Sequence, residues 1–163
     1  MNVTSAKPLE GHQVTDDYRT KMVDWMIEVC TSFSCRDRTW FLAAQFFDRY
    51  LIMMKGKKTL RNSDVHAIGV TSMYLASKYE DVYPISSFMA YERISHKAVP
   101  QKEILRMEGD FLRLFEFDLE LVTHFDYHMY IFGQLNVIFS SGEQKVAIQR
   151  IDELSLMLIR MAL

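Results

Sequence analysis

The stretch from Arg61 to Asp81 constrains the fold more than any other, because it reads as a helix that is apolar on nearly every side. Asn62, Ser63 and Asp64 offer short oxygen acceptors for the free amide groups of a helix start. The residues that follow line one face of this helix and fill most of the rest of its circumference. They are Val65, Ala67, Ile68, Val70, Ser72, Met73, Tyr74, Leu75, Ala76 and Tyr79. A helix of this kind belongs inside a protein. We therefore predict a central helix wrapped by others.

Small residues and a charged end give this helix two further properties. The small residues are Ala67, Gly69, Ser72 and Ala76. They allow a neighbouring helix to approach the helix axis closely. Lys78, Glu80 and Asp81 then arrive within one turn at the C-terminal end. We predict that this end reaches the surface and carries the function.

The rest of the chain alternates helical patterns with short breaks, which predicts an all-α fold. The predicted helices span residues 16–33, 38–54, 61–81, 86–91, 100–114, 122–134 and 143–163. Residues 92–99 read as a loop, and residues 1–15 lack periodicity and read as a flexible leader, for which docking at a site that the sequence does not show stays an alternative. The last pattern reaches Leu163 without a capping signal, which favours a chain that ends within a domain.

Composition and charge argue against several classes of protein. The formal charge of -2 gives no basic field that would attract nucleic acid. No apolar run approaches the roughly 18 residues of a membrane span, and the N-terminus lacks a secretion signal. We therefore expect an intracellular protein of the nucleus or cytoplasm with no nucleic-acid or membrane partner. A disulfide between Cys30 and Cys35 is possible in principle, but in that setting we expect reduced thiols.

No motif predicts catalysis or a cofactor. The sequence contains no glycine-rich phosphate loop, nucleophile elbow or metalloprotease helix. His124 and His128 stand four apart, a spacing that could place two ring nitrogens on a metal ion, although no third ligand is evident. We interpret the chain as a non-enzyme without metal or cofactor, and a metal-dependent enzyme stays an alternative.

Two pairs of opposite charges stand in apolar surroundings. Arg19 in the first helix and Asp48 in the second are predicted to pair, because a carboxylate among apolar residues needs a cation. Lys78 and Glu108 allow two interpretations. They could form a salt bridge between the third and fifth helices, or both could point into a groove and contact a partner protein. The residue pattern alone leaves both open.

Five short motifs together resemble a cyclin box. They are Arg-Thr-Lys-Met-Val-Asp-Trp-Met-Ile-Glu-Val at 19–29, Phe-Asp-Arg-Tyr-Leu at 47–51, Leu-Ala-Ser-Lys-Tyr-Glu-Asp-Val-Tyr-Pro at 75–84, Ile-Leu-Arg-Met-Glu at 104–108 and Phe-Asp-Leu at 117–119. They occur in the family's order and at close to its spacings. The resemblance is to A- and B-type mitotic cyclins. It implies a five-helix box over residues 16–121 with a central third helix, and the start of a second cyclin repeat over 122–163.

The resemblance also implies a function. Cyclins catalyse no reaction themselves but bind a cyclin-dependent Ser/Thr kinase and hold its regulatory helix and activation segment in the active arrangement, here in cell-cycle control. The implied kinase-binding residues are Lys78, Glu108, Leu75, Tyr79, Leu112, Phe117 and Leu119. Arg19 and Asp48 match the family's structural ion pair. Alternatives are a cyclin-fold transcription factor that contacts DNA, or a transcriptional or nutrient-response cyclin.

A second surface resembles the patch with which many cell-cycle cyclins bind substrate motifs. Its residues here are Tyr18, Lys21, Met22, Trp25, Glu28, Val65 and His66. Lys21 places a charge where the family carries an apolar side chain. We therefore expect docking of kinase substrates or inhibitors to be altered in specificity or absent.

Overall fold

The computed structural model describes residues 7–139 and 143–161, and within these ranges the protein is all-α, as predicted. The helices are α1 (Asp16–Ser32), α2 (Asp37–Met54), α3 (Asn62–Glu80), α4 (Ser87–Met89), α5 (Gln101–Leu114), α6 (His124–Ile138) and α7 (Glu143–Met161). A π-helical turn, Ala90–Ile94, follows α4 directly. The chain divides into two compact units between Leu121 and Val122. That the second unit begins another cyclin repeat stays a prediction.

The first unit is built around α3, which confirms the prediction of a central third helix. Every residue from Ile68 to Ser77 is buried. Helices α1, α2 and α5 and the π-helical turn all pack against α3. The hydroxyls of Thr71 and Ser72 donate to the carbonyl oxygens of Ala67 and Ile68 at 2.8 and 2.9 Å, so these polar groups are satisfied within the core.

Helix α1 approaches α3 closely at Gly69. A β-carbon at Gly69 would lie 2.1 Å from Sδ and 2.9 Å from Cγ of the buried Met22. Because the Met22 side chain is unbranched, it can shift, but only by giving up its own packing. We expect Gly69→Ala to lower the free energy of unfolding by about 1–3 kcal/mol, measured by chemical denaturation.

Two controls accompany this change: a substitution at a second glycine, and the same substitution in a double variant. A β-carbon at Gly133 in α6 would meet nothing within 4 Å, so Gly133→Ala should be neutral or stabilising by up to about 1 kcal/mol. In a Met22→Ala background the clash is gone, and Gly69→Ala should cost little there. An equal cost in both backgrounds would show that the close approach to Met22 is not the cause.

Residues 7–15 are held against the helices, in contrast to the flexible leader expected from the sequence. His12 Nε2 lies 2.8 Å from the carbonyl oxygen of Leu51, and the amide of Leu60 donates to His12 Nδ1 at 3.2 Å. Val14 is buried. The segment has no periodicity because single side chains, rather than a helical or sheet face, fix it. Residues 1–6 lie outside the described residues.

The helical segment that begins with α4 extends further along the chain than the sequence predicts. Residues 92–94 were expected to be loop, but they continue as a π-helical turn in which the Ser95 amide donates to the Ala90 carbonyl at 2.8 Å. Ala90 and Ile94 are buried and attach the turn to the core. A wider turn changes which residues share a face, so the 3.6-residue period is lost locally and the pattern resembles a loop.

Candidate functional site

The C-terminal end of α3 is where the buried core meets the surface. Ser77 is fully buried, whereas the next two side chains, Lys78 and Tyr79, are exposed. The chain then continues through Val82 and Tyr83, which are 70% and 92% exposed. This end of the helix therefore presents a lysine within an apolar surface, as its sequence predicts.

Lys78 and Glu108 are in direct contact across α3 and α5. The distance from Lys78 Nζ to Glu108 Oε1 is 2.6 Å, and the two side chains are 44% and 12% exposed. The hydrogen bond to Glu108 raises the pKa of Lys78, and the ammonium also lies 5.2 Å from the centre of the Tyr74 ring. The salt bridge that was one of the two interpretations is thus present, and it lies at the surface with its cation open to a partner.

The apolar residues predicted for this surface differ in their accessibility. Tyr79 and Phe117 are 44% and 71% exposed, and Leu112 and Leu119 are half-buried. Leu75 is only 3% exposed, although a direct contact with a partner was implied for it. It lies one turn before Tyr79, where the helix is still enclosed by the core. Leu75 can therefore support the surface from beneath, and it offers no area for direct contact.

Phe117 owes its exposure to an unusual backbone turn after α5. Glu116 and Phe117 have φ angles of 54° and 59°, and both are in the left-handed region that residues with a β-carbon seldom adopt. The Phe117 amide donates to the carbonyl oxygen of Leu112 at 2.9 Å, which closes the turn. Such conformations are costly and persist where the surrounding structure enforces them, often at functional sites.

A hydrogen-bond network that the sequence analysis missed fastens the end of α3 to α2. Asp81 accepts hydrogen bonds from Thr39 Oγ1 at 2.7 Å, Ser77 Oγ at 2.8 Å and the Arg36 amide at 3.0 Å. Glu80 accepts from Arg38 at 2.6 Å. Two acidic residues at the negative end of a helix are unfavourable without such partners. That local mismatch was the available signal, but Arg36 and Thr39 lie more than 40 residues away from Asp81 in sequence.

Arg19 and Asp48 form the predicted pair between α1 and α2. Arg19 Nε donates to Asp48 Oδ1 at 2.8 Å, and a second guanidinium nitrogen donates to Oδ2 at 2.7 Å. This is the bidentate geometry in which arginine binds carboxylates most strongly. The side chains are 16% and 21% exposed. The hydrogen bonds to Asp48 raise the pKa of Arg19 further, and the pair joins the two helices beside α3.

The seven residues of the predicted docking patch include two that are buried, two that are half-buried and three that are exposed. Met22 and Val65 belong to the core, and Trp25 stands edge-on to the ring of His66 with centroids 5.7 Å apart. Burial, together with nearby His96, lowers the pKa of His66. The exposed members are Tyr18, Lys21 and Glu28.

Lys21 is turned toward its own helix rather than toward a partner. Its ammonium lies 2.7 Å from the carboxylate of Asp17, one turn earlier, and both side chains are largely exposed. Such a pair adds little stability. The Lys21 ammonium can therefore exchange Asp17 for another binding partner at this surface at little cost in stability.

A cleft of about 470 Å³ adjoins the docking patch and was not predicted. It lies between α1 and the π-helical turn, and its lining residues are Trp25, Glu28, Val29, Ser32, Phe33, Glu92, Arg93, Ile94 and His96. Arg93 stacks on the Phe33 ring at 5.5 Å. The cleft leaves no signal in the sequence, because the pattern of residues 92–99 resembles a loop.

The two histidines considered for a metal are not arranged alike. His128 is 4% exposed, and both of its ring nitrogens have partners: Nδ1 lies 3.2 Å from Ser155 Oγ and Nε2 lies 2.6 Å from Asp152 Oδ1. His124 is exposed. Within residues 7–139 and 143–161, no three His, Cys, Asp or Glu side chains are grouped so that they could hold a metal ion. Over the same ranges, no helix combines the length and apolar character needed to cross a membrane.

One family model and several known proteins are similar to this chain in sequence. The family described as "Cyclin, N-terminal domain" matches residues 2–120. The chain is 35% identical over 112 residues to G2/mitotic-specific cyclin-A of Patella vulgata, which covers 68% of this chain and 25% of that protein. It is 36% identical over 119 residues to G2/mitotic-specific cyclin-B1 of Oryzias luzonensis, which covers 71% of this chain and 28% of that protein.

The same similarity extends to three-dimensional structure. The crystal structure of a viral cyclin from herpesvirus saimiri aligns with a TM-score of 0.66 at 27% identity, covering 76% of this chain and 52% of the viral one. Taken by length, the present chain spans only about a quarter of the curated relatives it matches.

Proposed function

The chain belongs to the cyclin family, and from this we propose that it is a regulatory subunit that binds and activates a cyclin-dependent Ser/Thr kinase. The observation that carries the proposal is the Lys78–Glu108 pair, placed at an exposed end of the central helix beside Tyr79 and Phe117. A role in cell-cycle control, in the nucleus or cytoplasm, is supported by relatives named as G2/mitotic-specific cyclins.

The pair is suited to bind backbone groups at the start of a kinase helix. The Lys78 ammonium has hydrogens beyond the one it gives to Glu108, and these can reach a carbonyl oxygen. The Glu108 carboxylate can accept from a free amide at a helix N-terminus, where negative charge is favourable. Because the two side chains already hold each other at 2.6 Å, little conformational entropy is lost on binding.

The surrounding apolar side chains complete the proposed surface. Tyr79 and Phe117, with half-buried Leu112 and Leu119, would exclude water from the charged pair once a partner covers them. Leu75 contributes from beneath by fixing the helix. The chain performs no chemistry in this proposal. It acts by binding the competent conformation of the kinase more tightly than the inactive one, which shifts the population toward activity.

The experiment for this proposal is a kinase assay with purified components. A panel of cyclin-dependent kinases is incubated with and without the chain, and phosphate transfer to a peptide substrate is measured. At least one kinase should form a complex and be stimulated. If no kinase binds, the proposal fails. If the chain instead retards a DNA probe in a salt-dependent way, the alternative of a DNA-contacting cyclin-fold protein gains support, although a formal charge of -2 does not favour it.

We further propose that the docking patch and the adjoining cleft bind segments of kinase substrates or inhibitors. Trp25 lies in both the patch and the cleft and supplies the rigid aromatic contact that such sites depend on. Lys21, paired only at the surface with Asp17, replaces apolar contact area with charge. The proposed site therefore differs from the family's patch at one edge.

Substitutions at Trp25 and Lys21 should change docking in opposite directions. Trp25→Ala should raise the KM of a protein substrate about tenfold or more, because truncating an aromatic anchor costs about 2 kcal/mol. Lys21→Leu should lower that KM. A short peptide that contains only the phosphorylation site serves as the control, and its KM should not change. Equal effects on both substrates, or none, would contradict docking at this patch.

A further inference from the structure

Cys30 and Cys35 lie close together at the end of α1, and the proposed function makes no use of them. Cys30 is 8% exposed near the end of the helix, and Cys35 is half-buried in the loop that leads to α2. The Cys35 amide donates to the Cys30 carbonyl oxygen at 3.0 Å, which closes the loop between them. The closed loop therefore holds the two cysteines next to each other.

We propose that Cys30 and Cys35 are a modification site at which hydrogen peroxide forms a reversible intrachain disulfide. A loop closed by a backbone hydrogen bond brings its ends into the range of Cα separations that disulfides require, roughly 4.4–6.8 Å. Ser34, within this loop, already holds a φ of 52°. The loop between the two cysteines therefore has an unusual backbone conformation. This inference does not depend on kinase binding.

The two sulfurs have different roles in the reaction. The neighbouring Cys35 side chain and, after it, burial raise the pKa of the Cys30 thiol, so Cys30 keeps its proton. Cys35 is the more accessible of the two thiols. Cys35 is therefore the residue that peroxide reaches first.

The reaction balances with hydrogen peroxide as the only co-reactant. The Cys35 thiolate attacks one peroxide oxygen, the O–O bond breaks, and the departing hydroxide takes a proton to give water and a sulfenic acid. The Cys30 sulfur then attacks Cys35 Sγ and gives up its proton to the departing hydroxide. The S–S bond forms as the S–O bond breaks, and a second water leaves. Two thiols are oxidised and one peroxide is reduced.

The disulfide would act on the end of α3 through the loop. A covalent S–S bond would tie Cys35 to the end of α1 and restrict the loop that contains it. The next residue, Arg36, donates its amide to Asp81 at 3.0 Å and places its guanidinium 3.6 Å from Glu80. Oxidation should therefore disturb the hydrogen bonds that fasten the C-terminal end of α3.

The test is oxidation of the whole chain followed by mass spectrometry. Treatment with a small excess of peroxide should yield a species that has lost two hydrogen atoms and whose peptides carry Cys30 linked to Cys35, and dithiothreitol should reverse it. Cys30→Ala should instead stop at a sulfenic acid on Cys35 that dimedone traps, and Cys35→Ser should not react at cysteine. Circular dichroism confirms that each variant is folded. Methionine oxidation adds oxygen and is distinguished by mass.

Two results would overturn the inference. Oxidation of Cys35 directly to sulfinic acid in the wild-type chain, or disulfides formed only between chains, would show that Cys30 does not act as the resolving thiol. Amide hydrogen exchange then tests the structural consequence. Exchange at Glu80 and Asp81 should change on oxidation of the wild type and remain constant in Cys35→Ser. Identical exchange before and after disulfide formation would refute the link to α3.

Discussion

Replacing Lys78 by glutamate is expected to weaken kinase binding by about 30- to 1,000-fold, the equivalent of roughly 2–4 kcal/mol. The substitution places a second carboxylate beside Glu108, which is 12% exposed and depends on the Lys78 ammonium 2.6 Å away. Binding would then have to bury two like charges that no cation compensates. Isothermal titration calorimetry with the kinase identified by the activity panel measures the change in Kd.

The control for this prediction is the same charge change elsewhere. Lys57 is exposed in the loop before α3, at the opposite end of a 19-residue helix about 28 Å long. Lys57→Glu should change the Kd by no more than a few-fold. Wild-type affinity of Lys78→Glu would contradict the assignment of this surface.

A charge-swapped double variant separates a structural role from a binding role. Lys78→Glu combined with Glu108→Lys restores an ion pair between α3 and α5 but exchanges the donor and the acceptor. If the pair served only the fold, the double variant would recover both stability and binding. We expect the double variant to recover stability but not binding. The backbone carbonyl and amide groups of the kinase would then each meet a side chain that cannot form the required hydrogen bond.

Removal of Arg19 should have the largest effect on stability of the changes considered. Arg19→Ala is expected to lower the free energy of unfolding by about 3 kcal/mol, because it leaves the Asp48 carboxylate, only 21% exposed, without its bidentate cation. Guanidinium denaturation measures the loss as a lower midpoint at unchanged slope. Arg19→Lys should fall between wild type and Arg19→Ala, since an ammonium cannot bind both oxygens in the same way.

The matched control lies on the same helix. Lys21 and Asp17 form an ion pair at 2.7 Å with side chains 72% and 64% exposed, so Lys21→Ala should change stability by no more than about 0.5 kcal/mol. A loss for Arg19→Ala as small as that for Lys21→Ala would contradict a structural role for the Arg19–Asp48 pair.

The central helix and its exposed, charged end could be predicted because each depends on information local to the sequence. A helix that is apolar on nearly every side has no other stable location than the core, so α3 was identified from its pattern alone. The abrupt change from apolar residues to Lys78 likewise indicated that this end of the helix lies at the surface. The Arg19–Asp48 contact followed from the need of a carboxylate for a cation among apolar residues.

Other features depend on contacts that no local pattern specifies. Asp81 is fastened by Thr39 and Arg36, more than 40 residues away, and Leu75 is buried by neighbours that only the folded chain supplies. The π-helical turn breaks the period used to predict helices, so the cleft beside Trp25 was missed with it. His12 fixes residues 7–15 through backbone groups of distant residues, which leaves no periodic signal.

Hydrogen exchange of the chain with and without its kinase tests the central claim most directly. The account predicts slower exchange in the complex at two segments, residues 78–83 at the end of α3 and residues 108–119 in α5 and the turn after it. The exposed lysines of the loop before α3 should exchange at unchanged rates. Protection confined to other segments, or no protection in a mixture with any cyclin-dependent kinase, would contradict the account.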